Sequence, residues 1–186
     1  MSHYFISDDK LASIDLTFTY TYKGHRLTFH ADRGVFSKER VDFGTNVLLN
    51  ALPEMNHKTI IDVGCGVGVI GLCLAKANPA SHITLIDVNS RAVNLTKKNA
   101  SVNNITNVEI LESDLYQKVE GMYDVIITNP PIRAGKKVIY KIVEDGYNKL
   151  NPNGKIYLVI QKKQGAPSMK EKLLATFHNC EELAKI

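Results

Sequence analysis

The segment best equipped for chemistry is Thr128-Asn129-Pro130-Pro131-Ile132. Consecutive prolines fix the backbone and bring no N–H, so the Asn129 side-chain oxygen and the Pro130 carbonyl remain as candidate acceptors. Two fixed acceptors can hold the two hydrogens of an amino group. An exocyclic amine on a base is a poor nucleophile, because its lone pair is delocalised into the ring. Accepting both hydrogens orients the nitrogen and stabilises the positive charge that grows as it attacks a methyl group. Asn129 and Pro130 are therefore the candidate catalytic pair. No strong base is required, since the alkylated nitrogen loses its proton readily. The plain structural alternative is a proline turn that ends a strand.

A second constellation lies upstream, in Asp62-Val63-Gly64-Cys65-Gly66-Val67-Gly68. Its glycines are spaced G-x-G-x-G, whereas a dinucleotide fingerprint needs G-x-G-x-x-G, and position 69 is Val. The difference has a chemical side. A dinucleotide presents a pyrophosphate to the helix that follows, whereas S-adenosylmethionine presents an ammonium, a carboxylate and a sulfonium, with no phosphate. An acid at the loop entrance suits the cationic ligand, and glycines admit its methionine part without a Cβ clash. Asp87, in Ile86-Asp87-Val88-Asn89, sits where a carboxylate can accept both ribose hydroxyls of an adenosine. Asp114, in Glu112-Ser113-Asp114-Leu115, sits where one could accept from the adenine amino group. Helix capping is the alternative for each acid taken singly.

These groups need a scaffold that gathers them. Residues 16 to 31 alternate, with Leu16, Phe18, Tyr20 and Tyr22 on one face, and turn at Lys23-Gly24, which reads as a β-hairpin. A short helix follows Asp42-Phe43-Gly44-Thr45 and stops at Pro53. Then strands alternate with helices: strand 59–63 and a helix carrying Ile70, Cys73, Leu74 and Ala77, strand 83–86 and helix 91–102, strand 108–111, strand 123–128 and helix 136–150. Asn151-Pro152-Asn153-Gly154 predicts a turn into a last strand at 155–160. The fold class is α/β: a mostly parallel, Rossmann-like sheet with helices on both faces, plus an N-terminal hairpin. In such sheets ligands bind beyond the carboxyl ends of the strands, where the Gly loop, Asp87, Asp114 and Asn129 all fall.

The 186 residues fit one domain, 1–186, with 1–41 as an appendage and 42–186 as the α/β core. At 44% hydrophobic and 23% charged residues, disorder is not the reading. No apolar run approaches the roughly 18–20 residues that cross a bilayer, and the start is polar, so a soluble cytoplasmic chain is expected. Cys65, Cys73 and Cys180 form no CxxC pair, and the six histidines show no HExxH spacing, so no disulfide framework or metal site is expected. The +4 net charge is compatible with a nucleic-acid partner without requiring one. More telling is where cations gather. Arg133, Lys136, Lys137 and Lys141 follow the Asn-Pro-Pro segment and Lys162 and Lys163 follow the last strand, all at the edge where ligands bind. A solvated helix face is the alternative.

Taken in order, Asp62 to Gly68, Asp87, Asp114 and Asn129 to Ile132 resemble the class I methyltransferase motifs for cofactor and amino-group substrate. More narrowly, His3-Tyr4-Phe5, Gly34-Val35-Phe36-Ser37, Asp42-Phe43-Gly44-Thr45 and Asn129 to Lys136 resemble the small-subunit ribosomal RNA guanine-N2 methyltransferase family, over nearly the whole chain. The resemblance implies methyl transfer from S-adenosylmethionine to the exocyclic N2 of a guanine in 16S rRNA, with ribosomal RNA or the small subunit as partner. It implies Gly64, Gly66, Asp87 and Asp114 as cofactor contacts and Asn129 with Pro130 as the amine clamp. The wider cofactor set expected adds Asp62, Cys65, Gly68, Val88, Leu115, Thr45 and Asn129, and the substrate set is Pro131, Ile132, Arg133, Lys136, Lys137 and Phe36. Two departures stand out. Many amino methyltransferases put an aromatic after Asn-Pro-Pro to stack on a flipped base, and here that position is Ile132. Phe36 and Tyr116 are the candidate replacements. The sequence also stops at Leu183-Ala184-Lys185-Ile186, before the antiparallel strand with which such folds usually finish, so a truncated end or a partner-covered sheet edge is expected. Protein glutamine methylation, whose amide offers the same NH2 chemistry, and a non-catalytic RNA-binding module are the competing readings.

Overall fold

The computed structural model describes residues 15–32 and 41–185. Strands β1 (Asp15–Tyr22) and β2 (His25–Asp32) form the expected antiparallel hairpin. Its two-residue turn, Lys23-Gly24, has positive φ at both positions, the geometry that matches strand twist. Helix α1 (Phe43–Ala51) is capped by Asp42, whose side chain accepts from Thr45 N, and ends before Pro53.

Five parallel strands then alternate with helices: β3 (Thr59–Val63), α2 (Val69–Ala77), β4 (His82–Asp87), α3 (Ser90–Val102), β5 (Val108–Glu112), β6 (Tyr123–Thr128), α4 (Lys136–Tyr147) and β7 (Leu150–Leu158), followed by α5 (Ala166–Phe177). The sheet order is β5-β4-β3-β6-β7. Strand order therefore reverses between β3 and β6, and the crevice at their carboxyl ends is where ligands of such sheets bind. The Gly loop follows one of these strands and Asn129 the other.

Side chains alternate across the sheet. Ile60, Ile83, Leu85, Val125 and Ile127 face a cluster with the hairpin's Phe18, Leu27 and Phe29 and with Leu72 and Leu74 of α2. Ile61, Val63, Ile86 and Ile126 face the opposite way, against Tyr116, Val119 and Ile142. Both faces are thus covered, as the unbroken β-branched runs require.

Two local expectations change. The Asn151–Gly154 segment lies inside β7: Leu150 pairs with Tyr123, pairing resumes at Lys155 with Val125, and the residues between bulge out. Asn153 adopts a positive φ there, and a Cβ on Gly154 would sit 2.8 Å from Asn151 O, so these turn formers build a bulge in a strand that starts earlier than expected. Tyr116 is core: it is buried, and its hydroxyl donates to Ile142 O. It cannot serve as a stacking platform. Phe36, with the other motif residues at 3–5 and 34–37, lies outside the described residues. Past α5, residues 178–185 form no strand.

Candidate active site

The ends of β3 and β6 are stitched together by Thr128, whose buried hydroxyl donates to Val63 O at 2.8 Å. This brings the Gly loop against the proline segment, so that a Cβ on Gly64 would lie 3.8 Å from Pro131 Cδ. A cavity opens between them, walled by Gly64, Cys65, Gly66, Val67, Val69 and Ile70 on one side and by Asp42, Thr45 and Asn129 on the other.

Gly64, Gly66 and Gly68 all take positive φ, which explains the G-x-G-x-G spacing directly. At Gly68 a Cβ would also strike Thr96 Cγ2 at 2.8 Å. Four of the loop's amides are spent internally: Gly64 N and Cys65 N both donate to Ile86 O, Gly66 N to Asp87 Oδ2, and Gly68 N to Cys65 O. A phosphate cradle needs such amides free and aimed at the ligand. The amides of Gly64, Cys65, Gly66 and Gly68 are therefore closed to a phosphate. Helix α3 supports it from behind, where Thr96 Oγ1 donates to Gly66 O and Asn99 Nδ2 to Val67 O.

Asp62 stands behind the loop rather than on the cavity wall. It is 1% exposed, Oδ2 accepts from Gly71 N, and Oδ1 has no partner. Burial pushes its carboxyl up to about 7, against the pull of the Gly71 N–H and with the Asp87 charge adding to the rise. Asp87 is half-buried at the end of β4; Oδ2 accepts from Gly66 N and Oδ1 from Asn89 N, leaving one lone pair on each oxygen for a vicinal diol. Burial raises its pKa while the Asn89, Gly66 and Val88 amides oppose the rise. Capping of α3 falls to Asn89, which accepts from Arg91 N, so Asp87 has no capping duty. Asp114 is exposed beyond β5, and Leu115 beside it holds φ at +50° with Ser113 Oγ donating to its carbonyl. Cys65 lines the cavity, yet burial, with the Asp62 and Asp87 charges, pushes its thiol well above the ordinary range. It stays protonated and does not compete as a nucleophile.

Asn129 is held from the far side of the cavity. Its Nδ2 donates to Thr45 Oγ1 at 3.0 Å and to both Asp42 oxygens at 3.3 Å. Thr45 Oγ1 in turn donates to Asp42 Oδ2 at 2.8 Å. A flipped amide would press oxygen against a carboxylate, so this network fixes which end of Asn129 is the acceptor. Neither Asn129 Oδ1 nor the Pro130 carbonyl accepts from any described group. Two unspent acceptors thus fall on consecutive residues at the switch point. Thr45, expected as a direct cofactor contact, lines the cavity, with its proton committed to Asp42 and its oxygen accepting from Asn129. Asp42 in this role, Thr96 and Asn99 were not apparent from sequence: Asp42 signals only a helix start, and the other two look like an ordinary polar helix face.

Residues 26–186 match the model of the methyltransferase small domain. The chain belongs to that family. It is similar to a protein of Bacillus subtilis strain 168 named uncharacterized protein YbxB, at 44% identity over 98% of this chain and 92% of that one. It is also similar to ribosomal RNA small subunit methyltransferase C of Aeromonas hydrophila, at 39% identity over 63% of this chain and 34% of the relative. Among solved structures it resembles the T. thermophilus 16S rRNA N2 methyltransferase RsmC, determined with AdoMet and guanosine. There the TM-score is 0.85 at 26% identity, over 95% of this chain and 49% of that one. The methyltransferase thus spans nearly all of the Bacillus relative and half or less of these rRNA methyltransferases. Among the described residues, no helix is long and apolar enough to cross a membrane.

The cations expected at the reactive edge are exposed: Arg133, Lys136, Lys137, Lys141, Lys162 and Lys163. Lys141 pairs with Asp145 at 4.0 Å, while the other five have no carboxylate partner among the described residues. Pro131 and Ile132 lie between this group and the clamp.

Proposed function

We propose that the chain transfers the methyl group of S-adenosylmethionine to the exocyclic N2 of a guanine in small-subunit ribosomal RNA. The observation that carries the reading is the oriented amide of Asn129, with its NH2 end tied to Asp42 and Thr45 and its oxygen left without a donor among the described residues. S-adenosylmethionine supplies an activated methyl on a sulfonium. The Gly loop, whose Gly64, Cys65, Gly66 and Gly68 amides are spent internally, takes the methionine part, and Asp87 retains acceptors for the ribose diol. Asp62 holds the start of α2 through Gly71 N, and Asp114, Val88 and Leu115 take the adenine side.

Asn129 Oδ1 and the Pro130 carbonyl accept the two amine hydrogens, turn the nitrogen lone pair towards the methyl carbon and stabilise the charge that develops there. No general base is needed, and among the described residues the cavity wall offers none free: its carboxylate there, Asp42, is engaged by Thr45 and Asn129. Guanine in rRNA rather than another NH2 group is supported by the relatives and by five exposed cations at this sheet edge that have no carboxylate partner among the described residues.

The test is to incubate the protein with radiolabelled S-adenosylmethionine and small ribosomal particles from a strain lacking it, then digest the RNA and identify the labelled nucleoside. N2-methylguanosine is expected. Asn129→Ala should lower turnover about a hundredfold, the scale of losing one preorganised electrostatic partner, while cofactor affinity changes far less. Label found only in protein would replace RNA by a glutamine side chain. Equal losses of turnover and cofactor affinity would refute the clamp.

A further inference from the structure

A second groove opens directly beyond the clamp. Ile132, Ile139, Tyr140, Ile160 and Met169 form its apolar wall, Lys136 and Gln164 stand with them, and no acidic residue lines it among the described residues. Ile132 is two residues from Pro130, so their Cα atoms are at most about 7.6 Å apart. The groove and the amine clamp are therefore neighbours on one strand end.

Two ammonium groups attend the Tyr140 ring. Lys136 Nζ is 5.3 Å and Lys172 Nζ 5.4 Å from its centroid. Lys172 is ion-paired with Glu144, whereas Lys136 is exposed and has no carboxylate partner, so it is free to swing from the ring face to an incoming anion. Lys162 and Lys163, exposed and likewise without carboxylate partners among the described residues, precede Gln164 in the chain. An aromatic ring on an apolar floor beneath a cationic rim is how single-stranded nucleic acid is held: base on ring, phosphate on lysine.

Resting on the RNA reading above, we infer that this groove binds the nucleotide next to the target guanine, its base stacked on Tyr140 and its phosphate taken by Lys136. The platform missing at position 132 is thereby supplied one helical turn into α4, for a neighbouring base. Extrusion of the target leaves its neighbour unstacked, and Tyr140 recovers that contact.

Steady-state methylation of small-subunit RNA by wild type, Tyr140→Phe and Tyr140→Leu tests this, with cofactor affinity measured in parallel. Tyr140→Leu should raise KM for RNA about tenfold, within the ~5- to 100-fold range of losing one base stack, with kcat within about twofold and cofactor affinity unchanged. Tyr140→Phe should match wild type. An unchanged KM in an active Tyr140→Leu overturns the inference and leaves the RNA reading standing. A loss shared by Tyr140→Phe marks a role for the phenol hydroxyl and overturns stacking. A wild type that methylates protein but no RNA overturns both. Should Tyr140→Leu not fold, ultraviolet crosslinking of wild type to RNA decides: an adduct on Tyr140 supports the groove, and adducts confined to other segments overturn it.

Discussion

Asp62 offers a sharp test of whether the loop is supported as described. Its carboxyl is buried with one oxygen unpaired, and its pKa is raised from 3.8 to about 7. A carboxyl whose folded pKa lies above its unfolded value contributes stability that is complete below about pH 4 and is lost as pH rises to about 7. Each pH unit within that window costs about 1.4 kcal/mol, so the rise from pH 5.5 to 7 removes ~2 kcal/mol. For a chain of this size that is ~4–8 °C in Tm. Asp62→Asn keeps an oxygen for Gly71 N and cannot ionise. It introduces an unpaired NH2, at a cost of ~1–3 kcal/mol that does not vary with pH. Thermal melts of both proteins from pH 5 to 8, monitored by circular dichroism, should therefore show wild type losing ground to the variant by ~2 kcal/mol between pH 5.5 and 7, falling behind it once the loss since pH 4 exceeds the variant's fixed cost, and a constant gap above about pH 7. Subtracting the variant's curve cancels the histidines. A gap constant to within about 1 °C from pH 5.5 to 7 would refute the burial argument.

The α3 asparagines form a matched pair. Asn99→Ala and Asn103→Ala each remove a two-bond clasp on β2, and each should lower stability by ~2–3 kcal/mol in melts. Only Asn99 also holds Val67 O, so calorimetry should show weakened S-adenosylmethionine binding for Asn99→Ala alone. Gly68→Ala combines a φ of +93° with a 2.8 Å approach to Thr96 Cγ2. It should cost ~2–4 kcal/mol in denaturant unfolding and weaken the cofactor complex; a variant that melts with wild type would mean that the loop relaxes freely.

What could be read in advance followed from chemistry that acts locally. The β3 run, the positive-φ glycines and the proline pair each dictate backbone shape within a few residues, and the strand-helix alternation then forces the parallel order that brings them together. Long-range partnerships were not legible. Asp42 reaches Asn129 across 87 positions, and Asn99 and Asn103 reach the hairpin across 69 and 75. Nothing in the spacing of a polar helix face states that it will be buried. Tyr116 and Tyr140 illustrate the same limit: both are aromatics near the site, and only tertiary packing makes one a core residue and the other a groove wall. Asn151–Gly154 failed differently, because turn formers specify a local reversal of φ and not whether a strand resumes in the same direction afterwards.

The two asparagines on α3 have a consequence for the hairpin as an object in solution. A two-stranded ribbon has exposed edges, and an edge with free N–H and C=O groups recruits strands from other molecules. On β2 the outward groups of Thr28 and His30 are instead taken, donor and acceptor alike, by the side-chain amides of Asn103 and Asn99, which mimic the peptide groups of a missing third strand. These amides thus occupy the β2 edge at two positions without contributing a strand. Because one of the two amides also fastens the Gly loop, resistance to aggregation and affinity for the cofactor depend on the same side chain, and selection on either preserves the other.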